Sequence, residues 1–199
     1  MRFNFARNAL RYIIKENEIK EIYVPYYLCD VIRHAVVAEG AKPLFYHIDD
    51  DFMPLYEFSK DSYIIYPNYF GICDKNVDKL VEVYPKLIVD NAHAYYARPK
   101  GFASIYSPHK FENYTKDRRQ EFDKYHKLYG VNNQLNIDIT EDVIPFCYPF
   151  LAQTIEEADC LVRRLNNEGK TVYRYWNALP ESYNEYKFYS RLVPIPLDK

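Results

Sequence analysis

Residues 86–110 read KLIVDNAHAYYARPKGFASIYSPHK, and this stretch contains two short apolar runs that each end in polar residues. Short continuous apolar runs are typical of parallel strands buried on both faces. Open α/β sheets bind their ligands beyond the carboxyl ends of such strands. The polar residues at the two ends are an acid, two imidazoles, a hydroxyl and an amine: Asp90, His93 and His109, Ser107, and Lys110. The stretch therefore predicts a ligand site at one edge of a parallel sheet.

The residues before this stretch alternate between helical and extended patterns. Apolar residues at helical spacing cover 6–17, 31–36 and 77–83, and strand-length apolar runs cover 21–25, 43–48 and 63–66. Strand, helix and strand in repetition are typical of a parallel sheet with helices packed on it. We therefore predict an α/β fold with a mainly parallel sheet and helices on both faces.

The pattern changes after residue 115. It predicts a charged helix over 116–129, a strand over 144–152 interrupted or bent at Pro149, a helix over 154–167 and a strand over 172–176. Thr154 and Glu157 have the spacing of a capping box. The Pro-rich tail is expected to stop without a closing helix. We predict a large domain over 1–115, followed over 116–199 by a connecting helix and a small α+β domain.

Composition restricts the class of protein. The 199 residues carry a formal charge of −2, so no basic excess can neutralise the phosphates of nucleic acid or an anionic membrane. No apolar run approaches the roughly 18 residues of a membrane span, and the first residues lack a secretory pattern. The four cysteines form no C-x-x-C pair, which is typical of reduced thiols. We expect a cytoplasmic protein that binds neither nucleic acid nor membrane.

Each polar residue at the strand ends has two explanations. Lys110 could form a Schiff base, which requires a partly desolvated amine, or could be a solvated lysine at a strand end. Asp90 could pair with a protonated pyridinium nitrogen or cap a helix. His93 could stack on a ring or be a structural histidine. The 22 Tyr and 12 Phe could likewise form a stacking surface or reflect a genomic bias.

Three further motifs are weak. Asp49–Asp51 and His47 lack a fourth ligand at suitable spacing, so we interpret them as a solvated turn and expect no metal. Ser107 and Lys110 match the S-x-x-K motif of penicillin-recognising enzymes, but the companion S-D-N and K-T-G tripeptides are absent from the sequence. Gly169–Thr171 resembles the end of a phosphate loop, but no predicted strand leads into it.

Taken together, these residues resemble the DegT/DnrJ/StrS family, the sugar aminotransferases of pyridoxal-phosphate fold type I. The segments that carry the resemblance are ARNALRYI (6–13), IYVPYYLCDVI (22–32), YPNYFG (66–71), LIVDNAHA (87–94), ASIYSPHKF (103–111), YPFL (148–151) and VYRYWNALPE (172–181). The specific part is D-x-x-H followed by S-x-x-K at successive strand ends. The resemblance covers most of the chain in separate pieces.

The resemblance implies a role for each residue around the cofactor ring of pyridoxal 5'-phosphate. Lys110 would be the Schiff-base lysine and the proton shuttle of transamination. Asp90 would pair with the pyridine nitrogen and keep it protonated, so that the ring can act as an electron sink. His93 would lie against the ring, where the family has a glutamine or a histidine.

The resemblance also implies a phosphate site. Ser107 would bind the cofactor phosphate together with backbone amides near Ala6 and Arg7 at a helix N-terminus. The family usually has Ser-Gly before this helix, whereas this chain has Phe5-Ala6. Glycine there lets a backbone approach phosphate closely.

The family's substrates are nucleotide-linked keto sugars, with glutamate as the usual amino donor, and the expected assembly is a homodimer. A role in polysaccharide biosynthesis follows from the same resemblance. This chain is short after Lys110, where the family continues into a glycine-containing strand and a long helical segment. The alternative is therefore a catalytically silent, shortened relative that serves as a binding or assembly module.

Overall fold

A computed structural model describes residues 5–107, 115–176 and 179–197 of the protein. Five of its strands are β1 (Glu21–Pro25), β2 (Lys42–Tyr46), β3 (Ile64–Pro67), β4 (Leu87–Asp90) and β5 (Ala103–Ile105). They form one sheet in the order β2-β1-β3-β4-β5, and all four pairings between them are parallel. The predicted mainly parallel sheet is confirmed.

Helices cover both faces of this sheet. The first three are α1 (Ala6–Glu16), α2 (Asp30–Ala38) and α3 (Asp74–Val83). Leu10 of α1 and Val36 of α2 pack in one buried cluster with Ile65 of β3. Leu80 of α3 packs in another cluster with Tyr66, the next residue of β3. Since successive strand residues point to opposite faces, the predicted α/β arrangement is confirmed.

The rest of the chain forms a smaller α+β unit. Its elements are α4 (Thr115–Tyr129), β6 (Cys147–Leu151), α5 (Ile155–Asn167), α6 (Tyr186–Arg191) and β7 (Leu192–Pro196). β6 and β7 pair antiparallel, without interruption at Pro149, which lies opposite Pro194. Thr154 caps α5 as predicted, since its hydroxyl accepts a hydrogen bond from the Glu157 N–H at 3.1 Å. In the described part of the chain, no helix is long and apolar enough to cross a membrane.

One prediction for this unit needs correction. Residues 172–176 form no strand, although their composition favours one. The place beside β6 is taken by β7 from the Pro-rich tail, which also contains the short helix α6. Strand propensity is expressed only where a pairing partner is free, and here a later segment occupies it. The division of the chain at residue 115 stays a prediction.

A buried carboxylate joins the two units. Glu185 precedes α6 and is fully buried. It accepts a hydrogen bond from the backbone N–H of Ile48 at 2.7 Å and contacts Nδ1 of His47 at 2.9 Å. Asn184 donates to the carbonyl oxygen of Ile48 at 2.7 Å. The segment after β2 is therefore tied to the segment before α6 by paired polar groups.

Candidate functional site

A cavity of about 420 Å³ lies where β3, β4 and β5 end and α1 and α2 begin. The strand ends are level with one another, because Asp90 is paired in register with both Pro67 and Ile105. Five predicted site residues line the cavity, namely Ala6, Arg7, Asp90, His93 and Ser107. The sixth, Lys110, lies outside the described residues. The edge of the sheet predicted from the sequence is thus the edge that bears a cavity.

Asp90 contributes an acid that is largely shielded from water. The residue is 6% exposed at the end of β4, and its Oδ1 accepts a hydrogen bond from the Ala92 N–H at 2.9 Å. Burial raises the pKa of its carboxyl to about 6, and the hydrogen bond from Ala92 opposes that rise. The turn after Asp90 starts no helix within residues 91–107, so the helix-cap explanation is wrong.

His93 lies within a group of aromatic side chains. Its imidazole is 4.5 Å from the ring of Phe146 at an angle of 1°, and 5.2 Å from the indole of Trp176 at 15°. Tyr175 meets it edge-on at 4.9 Å, and Phe70 lies 5.8 Å away. These rings come from three separate parts of the chain. His93 is therefore fixed by stacking contacts at the cavity wall.

The start of α1 forms another part of the cavity wall. Phe5 is the N-cap residue, and no side chain among the described residues caps the helix. The first N–H groups of a helix lack intrahelical partners and favour anions. The first turn of α1, which begins with Ala6 and Arg7, carries no acidic residue. With the hydroxyl of half-buried Ser107 on the same cavity, this part of the wall suits an anionic group.

Close backbone packing holds the turn after β3 against the turn after β4. Gly71 has φ +68, and a Cβ atom there would lie 2.5 Å from the carbonyl oxygen of His93. Beside it, buried Asn68 accepts a hydrogen bond from the Cys73 N–H at 3.0 Å and donates to the Asp74 carboxylate. Only glycine permits this approach, so Gly71 sets the position of His93.

Sequence reasoning missed several residues of the wall. Asn68 follows β3 and lines the cavity, and its position after a strand was a usable signal. Phe146, Tyr175 and Trp176 also line it, but they come from the smaller unit, far along the chain. No local pattern marks such residues, since only the tertiary fold brings them to the site.

Solved structures of known proteins share this fold. Spr1654 from Streptococcus pneumoniae, described as a sugar aminotransferase and solved in its PMP form, matches with a TM-score of 0.73 and 15% identity, over 98% of this chain and 80% of that one. The chain has the fold of sugar aminotransferases. PseC from Helicobacter pylori, an aminotransferase involved in the biosynthesis of pseudoaminic acid, matches with a TM-score of 0.69 and 13% identity, over 98% and 80% of the two chains.

A DegT DnrJ EryC1 StrS aminotransferase from Brucella abortus matches with a TM-score of 0.66 and 13% identity, over 97% of this chain and 79% of that one. Spr1654 in its PLP form has a TM-score of 0.67 with this chain at 14% identity. No protein-family profile matches the sequence, and neither does any curated protein. The likeness is thus one of fold, with structures whose sequences are 13–15% identical to this one.

Proposed function

We propose that this protein is a pyridoxal 5'-phosphate-dependent aminotransferase of the DegT/DnrJ/StrS type. The observation that carries the proposal is the cavity at the strand ends, where a buried acid, an imidazole, a hydroxyl and a helix N-terminus meet. Sugar aminotransferases with the same fold match in PLP and PMP forms. Fold alone does not imply function, so the proposal depends on the residues at this edge.

The residues present fit the cofactor. Asp90 is a buried carboxylate whose pKa is raised to about 6 by burial. A cationic N–H group at the cavity would pair with this carboxylate and stabilise its ionised form, which burial disfavours. Ser107 and the first amides of α1 would bind a phosphate at the same cavity. When bound, the cofactor supplies an electron sink for moving an amino group. Asp90 would hold a proton on the ring nitrogen, and Lys110 would carry the cofactor and transfer protons.

We propose the substrates that enzymes of the DegT/DnrJ/StrS type use. The amino acceptor would be a nucleotide-linked keto sugar of polysaccharide biosynthesis, and glutamate would be the amino donor. The enzyme would act as a homodimer in the cytoplasm. The aromatic wall of Phe146, Tyr175 and Trp176 would exclude water from the reacting groups.

A second candidate is a shortened, catalytically silent relative that acts as a binding or assembly module. Two observations favour it. The imidazole of His93 is already stacked on Phe146 and Trp176. The residues at the start of α1 are Phe5-Ala6, where the family usually has Ser-Gly. This candidate predicts a protein that dimerises without cofactor.

Absorption spectroscopy separates the two candidates. We expect wild-type protein incubated with pyridoxal 5'-phosphate to acquire the visible absorbance of the protein-bound cofactor in a stoichiometric amount. Borohydride treatment followed by peptide mass spectrometry should locate the cofactor on Lys110. Lys110→Ala should lose the absorbance, whereas Lys116→Ala, which removes a nearby exposed lysine, should keep it. Protein that binds no cofactor, or labelling spread over surface lysines, would contradict the proposal.

A further inference from the structure

Two aromatic side chains stack on the His93 ring. Phe146 and Trp176 lie nearly parallel to the imidazole, at 4.5 Å and 5.2 Å. Among the described residues they make no ring contact with each other, which is consistent with positions on opposite faces of the imidazole. A cofactor ring can stack on His93 only if one of these two side chains leaves.

Phe146 is held in place by its backbone. Its N–H donates to the carbonyl oxygen of Phe70 at 2.8 Å, and its carbonyl oxygen accepts a hydrogen bond from the guanidinium of Arg118. Arg118 is 4% exposed and also donates to the carbonyl oxygen of Pro145 at 3.3 Å. Movement of this backbone would break hydrogen bonds to a buried guanidinium, which is costly. Phe146 is therefore the fixed partner of His93.

Trp176 is held much less firmly. It lies at the end of an irregular stretch, residues 170–176, between α5 and the tail. Within the described part of the chain no hydrogen bond to Trp176 is seen, and its contacts are with aromatic rings such as Tyr27, 4.6 Å away and perpendicular. Its φ of 55 lies in the left-handed region, which is strained for a residue other than glycine. Such strain often marks residues that function in more than one arrangement.

We propose that Trp176 occupies the ring-binding face of His93 in the ligand-free protein and leaves it when the cofactor ring binds. This inference rests on the proposed function, because the incoming ring is that of pyridoxal 5'-phosphate. Binding then requires one aromatic stack to break before another forms. The competent arrangement is a minor state of the free protein, which lowers the apparent affinity by the fraction populated.

The test is the binding of pyridoxal 5'-phosphate to wild-type protein and Trp176→Ala, followed by visible absorbance. Removal of the competing stack should make binding two- to tenfold tighter, the equivalent of about one aromatic contact. In stopped-flow measurements the wild-type rate should level off at high ligand concentration, because departure of Trp176 becomes limiting, and the variant should reach a higher limiting rate. Trp176 is the only tryptophan, so its emission should change at the same limiting rate.

Tyr173→Ala is the matched control, since Tyr173 lies on the same segment and is 65% exposed; its binding should equal that of wild type. Weaker or unchanged binding by Trp176→Ala would overturn the inference, and so would a wild-type rate that rises without limit. Absence of binding by both proteins would overturn the proposed function as well. Circular dichroism checks that the variants fold, and Trp176→Leu replaces the alanine variant if that variant unfolds. The concentration dependence of the wild-type rate tests the inference without any variant.

Discussion

Replacing Asp90 by asparagine should stabilise the cofactor-free protein at neutral pH. The carboxyl has a pKa raised to about 6 by burial, against a reference value of 3.8. The folded state therefore binds this proton more tightly than the unfolded state, so wild-type stability falls as pH rises from about 4 to about 6 and stays lower above. The shift of about two pKa units corresponds to about 3 kcal/mol.

The expected net gain for Asp90→Asn is smaller than this figure. The amide oxygen can still accept the hydrogen bond from the Ala92 N–H, which is 2.9 Å in the wild type. The new NH₂ group, however, is buried and needs acceptors, and leaving it unpaired costs about 1 kcal/mol. We expect a gain of about 2 kcal/mol at pH values above about 7 and no gain near pH 4.

Urea denaturation at a series of pH values measures this effect. The stability difference between Asp90→Asn and wild type should appear between pH values of about 4 and 6. Saturating pyridoxal 5'-phosphate should reverse the order, because only a carboxylate can pair with the protonated ring nitrogen. A difference that does not vary with pH would refute the burial argument. Equal stabilisation of both proteins by the cofactor would refute the proposed role of Asp90.

Two further substitutions test the scaffold of the site. Gly71→Ala should lower the free energy of unfolding by more than Gly40→Ala. Both glycines have positive φ, but of the two only Gly71 would place a Cβ atom against backbone, at 2.5 Å. The Gly40 change should cost about 1 kcal/mol, and equal losses of stability in thermal unfolding would contradict the role of close packing at Gly71. Glu185→Gln should cost about 1–3 kcal/mol because it weakens the buried acceptor of the Ile48 N–H. Glu181→Gln, at an exposed site, should change the urea midpoint little, and a similar loss in both would exclude a special role for the buried pair.

The first half of the chain was predictable because local patterns and tertiary structure agree there. Strand β1 has the predicted bounds, Glu21–Pro25, and α1 ends one residue before its predicted end. The positions of Asp90 and Ser107 at one cavity follow from parallel strands whose carboxyl ends share an edge. In such a sheet the residue that follows each apolar run lies at the carboxyl edge, so its position can be predicted from the sequence.

The second half was less predictable because its pairing is non-local. Residues 172–176 carry strand-type residues but pair with no strand in the described part of the chain, whereas Leu192–Pro196 includes two prolines and still pairs with β6. Proline lacks a donor and is tolerated where the ladder needs none. Phe146 and Trp176 meet His93 through tertiary contacts, so no periodicity within either segment could have revealed the aromatic wall.

The pairing of β6 with β7 also sets an order of assembly. Residues 152–191 lie between the two strands, so β6 has no partner until residues 192–196 have left the ribosome. The sheet of β1–β5 depends only on earlier residues and can form while synthesis continues. The polar residues of the cavity wall, up to Ser107, therefore emerge before the aromatic residues Phe146, Tyr175 and Trp176. A cofactor present during translation would meet Asp90 and Ser107 before Trp176 had reached His93.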